Sequence, residues 1–103
     1  MVQFERWMQF SPVQQMGNIA SEITRARTRE EQNDINGRNQ ALVIALELID
    51  LSLDDARWKN GIKEIARLRE VVADWYSDTH VYNVPRKALE DYCVSFMLAK
   101  IVR

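Results

Sequence analysis

At 103 residues, 47% hydrophobic and 28% charged, the chain has the make-up of one globular domain, too apolar for a disordered segment, too charged for a membrane protein and too short for two separate cores. Its 14 basic and 15 acidic residues leave a net charge of −1, which excludes a global field that would gather a phosphate backbone or an anionic membrane surface. A lone cysteine excludes an internal disulfide; the opening MVQFERWMQF has no cationic stretch followed by an apolar run, no run reaches the roughly 18 apolar residues of a membrane span, and the expected setting is the cytoplasm.

In chain order, a short apolar segment with Phe4, Trp7 and Phe10 precedes Ser11-Pro12, which reads as an N-cap followed by proline at the first helical position. The first long helix is predicted over residues 12–29, with Val13, Met16, Ile19, Ala20, Ile23 and Ala26 on one face. The polar stretch EEQNDING is a turn, and a second helix follows over 35–51. Within Ala41 to Ile49 only Glu47 is polar, so apolar side chains surround this helix instead of forming one stripe. A third helix over 62–76 places Ile62, Ile65, Leu68, Val72 and Trp75 on one face, and the last begins near Pro85 and carries Leu89, Tyr92, Cys93, Phe96, Met97 and Lys100. With no alternating strand pattern and short connections, the expectation is an all-α fold: one domain over 1–103, a compact antiparallel bundle of about four helices.

The chemistry-bearing residues are sparse. His80 lies in a linker and Cys93 on an apolar helical face, with no activating partner evident beside either, so no catalytic residue is expected. No Cys pair, HExxH or carboxylate-rich calcium loop is present, so neither a metal nor a cofactor is expected. The Arg-then-His pair of HEPN-type nucleases is missing, since the nearest arginine before His80 is Arg69. Arg25 and Arg29 share a helix face, with Arg27 and Arg38 as neighbours, and offer a weak anion contact; cations near a helix C-terminus also complement its negative end. Lys63, Arg67, Glu70 and Asp74 form an outward strip. Arg69 sits at the edge of the buried stripe and calls for a carboxylate, with Glu22 the expected partner and a loss of about 1 to 3 kcal/mol on truncation to Ala. Trp75 and Tyr92 fall on core stripes, while Trp7 and Trp58 cover bundle ends. The first two long helices have the look of one tetratricopeptide-like unit, but no second copy follows.

The strings QQMGNIASEITRA and ALELIDLSLDDARWKNGIKEIARLREVVADWY, with the aromatic last helix, resemble a small bacterial family of all-helical proteins. The resemblance spans most of the chain and implies an all-α fold in a bacterial cytoplasm. That family has no established activity, cofactor or substrate, so no site residue is implied by it.

Excess apolar surface on the second helix leads to the functional expectation. If Leu42, Ala45, Leu46 and Ile49 face the bundle's core, then Val43, Ile44 and Glu47 point away and call for a covering partner, most simply a second copy in a twofold homodimer. The alternative is a central helix covered within one chain. The expected function is a non-enzymatic, self-associating protein-interaction module open to a second protein partner and without membrane association. The alternative is a nucleic-acid-associated helical protein of the defence or toxin–antitoxin kind that uses Arg25 and Arg29.

Overall fold

Capping chemistry sets the helix starts. In the computed structural model, which describes residues 3–102 and side chains as far as residue 96, the Ser11 hydroxyl accepts from the Gln14 backbone N–H and the Gln14 side chain accepts from the Ser11 N–H. This reciprocal pair satisfies two backbone donors that a helix start leaves open. The elements are α1 (Phe4–Trp7), α2 (Pro12–Glu31), α3 (Ile35–Leu53), a 3-10 turn (Ala56–Gly61), α4 (Ile62–Ser77) and α5 (Arg86–Val102), with no strand among the described residues. Asp34 caps α3 by accepting from the Gly37 N–H at 2.9 Å.

The ends of the four long helices fall close to those expected from the sequence. Two details were not foreseen: the N-terminal segment winds into one helical turn, and residues 56–61 form a 3-10 turn that buries Trp58 completely. Met97 and Lys100, expected to continue the apolar face of the last helix, have side chains outside the described residues.

The long helices run alternately up and down. α2 packs against both α3 and α5, and α3 also packs against α4, so α2 and α3 are the middle pair of the bundle. Met16, Ile19 and Ile23 of α2, Leu42 and Ile49 of α3, Ile65 and Val72 of α4 and Cys93 of α5 are fully shielded. Each large aliphatic side chain so buried contributes about 1.5 to 3 kcal/mol. Arg86 of α5 stacks 4.4 Å above the Trp75 ring of α4, and Phe96 of α5 lies 5.4 Å from Trp58 of the 3-10 turn. Between these contacts runs an apolar groove of about 310 Å³.

Three sequence expectations change. Arg69 does not pair with Glu22: its Nε donates to Asp50 Oδ1 on α3 at 2.5 Å, while Glu22 faces Arg25 on its own helix. The reason is that α4 packs on α3, so Asp50 is the carboxylate within reach. Tyr92 is 37% exposed, because α5 turns Leu89 and Cys93 inward and leaves Tyr92 lining the α4–α5 groove. Most of the apolar girth of α3 is covered within the chain, since Ala41, Leu42, Ala45, Leu48 and Ile49 are buried and Ile44 and Leu46 pack against the core.

Candidate functional site

Buried polar groups cost stability unless partnered, and this bundle gathers its own at the two ends. At one end the Gln15 amide NH2 donates to the Trp7 carbonyl and to Asp55, and its oxygen accepts from the Trp58 indole. The Trp7 indole donates to Ser52, whose hydroxyl donates to the Leu48 carbonyl. Arg57 grips Asp55 and donates to the carbonyls of Met8 and Phe10, which fastens the N-terminal segment to the 3-10 turn. Hydrogen bonds from Arg57 hold the Asp55 carboxyl below the usual carboxylate range, against the opposing effect of burial.

At the other end Arg38 is 4% exposed and donates to Glu30 on α2 and Asp78 after α4, while the Trp75 indole also donates to Glu30. Burial pushes the Glu30 carboxyl up, but hydrogen bonds from Trp75 and Arg38 outweigh it and leave the group below its ordinary value. In the last turn of α4, Asp74 accepts from the Thr79 hydroxyl and from the backbone N–H groups of Val81 and Tyr82 in the following loop, with the Thr79 bond chiefly responsible for its lowered pKa. These groups hold helix ends and loops in place.

The sequence already carried a signal for the two end clusters. Gln15 lies on the same stripe as Ile19, Ile23 and Ala26, and Arg38 on that of Leu42, Ala45 and Ile49, so helical spacing alone puts both inside. Asp50 as the partner of Arg69 depends on which helices are neighbours, which spacing does not state.

The candidate cationic contact is dispersed. Arg25 and Arg29 are about half exposed and each lies 3.5 Å from a carboxylate, Glu22 and Asp34 respectively, while Arg27 pairs with Glu90 and Glu31. His80 is exposed on the loop with a left-handed φ of 57°, while Cys93 is buried in α5, where burial pushes its thiol up to about 12.

Two surfaces remain. On α3, Gln40 and Val43 are exposed and Ile44 and Glu47 half-buried, and because 40 and 44, and 43 and 47, are each four residues apart, the four share one side of the helix. Beside it, between α1, α2 and α3, lies a cleft of about 560 Å³ with Trp7, Phe10, Ile44 and Leu48 as its apolar wall and Arg6 and Glu22 among its polar groups.

Compared with protein-family models, curated proteins and solved structures, the chain matches none. Among the described residues no helix is long and apolar enough to cross a membrane.

Proposed function

We propose that the protein is a non-enzymatic interaction module of the cytoplasm that self-associates, two copies meeting antiparallel across the outer stripe of α3. The observation that carries this reading is the order of polarity along the stripe: Gln40, Val43, Ile44, Glu47 reads polar, apolar, apolar, polar. A twofold axis between Val43 and Ile44 sets Val43 against Ile44 of the other copy and Gln40 against Glu47 of the other copy, so the amide donates to the carboxylate at both margins. Asp50 then falls opposite Gly37, and no like charges meet. Val43 is 38% exposed on a helix that is otherwise largely covered, and Gln15, Arg38, Asp55 and Asp74 are committed to holding the bundle's ends, which favours a surface role over a reaction centre.

Light scattering coupled to gel filtration tests it. The mass expected at micromolar concentration is that of two chains, falling to one in Val43→Asp, a change at an exposed position that leaves the core alone. Gln40→Lys, which faces Glu47 of the other copy, is expected to tighten the dimer. A one-chain mass for the unaltered protein across the micromolar range overturns the reading, and weakening by Gln40→Lys overturns the register.

A further inference from the structure

The cleft between α1, α2 and α3 holds a carboxylate whose bonding is incomplete. The Glu22 side chain is only 13% exposed, and its Oε2 is shielded from solvent without accepting any hydrogen bond. Arg25 Nη1 lies 3.5 Å from that oxygen, close enough to balance charge but outside hydrogen-bonding geometry. The neighbouring Ser21 hydroxyl is spent on the Gly17 carbonyl. A carboxylate so enclosed normally accepts charge-assisted hydrogen bonds, so Glu22 calls for an N–H donor, which reaches the shielded oxygen from the cleft by a turn of the Glu22 side chain.

The walls narrow the donor's chemistry. Arg6 lines the same cleft, is exposed, and makes no ion pair among the described residues. A plain cation entering here meets Arg6 as a like charge, and a plain anion meets Glu22. A molecule that bears both charges has a partner for each. Its remaining bulk meets Phe10, Ile44 and Leu48, an apolar surface, in a space of about 560 Å³ that falls within the usual range for small-molecule sites.

We propose that this cleft binds a small zwitterion of the α-amino-acid class with a large apolar side chain, its ammonium donating to Glu22, its carboxylate facing Arg6 and its side chain against Phe10, Ile44 and Leu48. Every group the proposal uses belongs to one chain, but Ile44 also lies on the α3 stripe of the self-association reading, so the titration is made on Val43→Asp as well as on the unaltered protein.

Titration of L-phenylalanine into the 15N-labelled protein, followed at the Trp7 indole N–H and the Glu22 amide, tests it, with phenethylamine and N-acetyl-L-phenylalanine as probes that lack one charge each. The expected result is saturable shifts with L-phenylalanine and binding weaker by about tenfold or more for either singly charged probe. Glu22→Gln, nearly isosteric, is expected to weaken L-phenylalanine by a similar factor, and Arg6→Ala to bring L-phenylalanine and phenethylamine to parity. Absence of saturable shifts, equal binding by a singly charged probe to the unaltered protein, or indifference to Glu22→Gln overturns the proposal.

Discussion

Gln15 shows how much one buried side chain can organise. Its amide bridges Trp7 at 3.0 Å and Asp55 at 3.1 Å, and its oxygen takes the Trp58 indole N–H at 2.6 Å, so three separate segments meet on one residue. Gln15→Leu keeps the volume but strips Asp55 of a donor and Trp58 of an acceptor inside a low-dielectric end cluster, and is expected to cost about 2 to 4 kcal/mol. Arg69→Ala is the instructive contrast. Its pair with Asp50 has side chains 43% and 51% exposed, which lowers the loss anticipated for a half-buried ion pair to less than about 1 kcal/mol. Urea denaturation of the two variants measures the difference; equal losses would show that the Gln15 bonds contribute no more than a solvated surface pair.

Helix starts were legible because capping is local chemistry, as at Ser11 and Pro12. The 3-10 turn was not, because Trp58 is drawn inward by Gln15, 43 residues away in sequence. Nor was the burden on Gly37 in α3. A Cβ there would stand 2.4 Å from Asp34 Oδ2 and 2.9 Å from its Cγ, the side chain that caps this helix. Glycine to alanine in a helix ordinarily gains up to about 1 kcal/mol, and loss of an N-cap costs about the same. Gly37→Ala is therefore expected to give no stabilisation in the natural chain but to stabilise an Asp34→Ala background, where the clash and the cap are both gone. Thermal unfolding of the four proteins in this cycle checks the reversal, and the same gain in both backgrounds would show that Gly37 does not serve the cap.

At the scale of the whole molecule, the girth of apolar residues on α3 was legible, but whether a second chain or this one covers it was not, since that depends on helix adjacency. The same adjacency brings the charges together at both ends, with a consequence for pH. Asp55, held down by Arg57, Glu30, where Trp75 and Arg38 overcome burial, Asp74, held by Thr79, and Glu90, held by Arg27, all have folded pKa values below their ordinary ones. A depressed carboxyl stabilises the fold above its unfolded pKa, near 4, and that contribution is lost as pH falls through the lower folded value. Cys93 acts at the opposite limit: its thiol, raised from 9.0 to about 12, favours the fold below the unfolded value and forfeits that advantage as pH climbs toward the folded one. Stability is thus expected to be level between about pH 5 and 8 and to decline below about pH 4. Because Asp55 and Glu30 hold Trp7, Trp58 and Trp75 in place through the end clusters, near-ultraviolet dichroism of the tryptophans should fade at a higher pH than far-ultraviolet helicity. Asp55→Asn, which keeps an acceptor for Gln15 but does not titrate, should lower stability at neutral pH and flatten the acid decline. An acid limb as steep as that of the unaltered protein would assign the decline to other carboxyls.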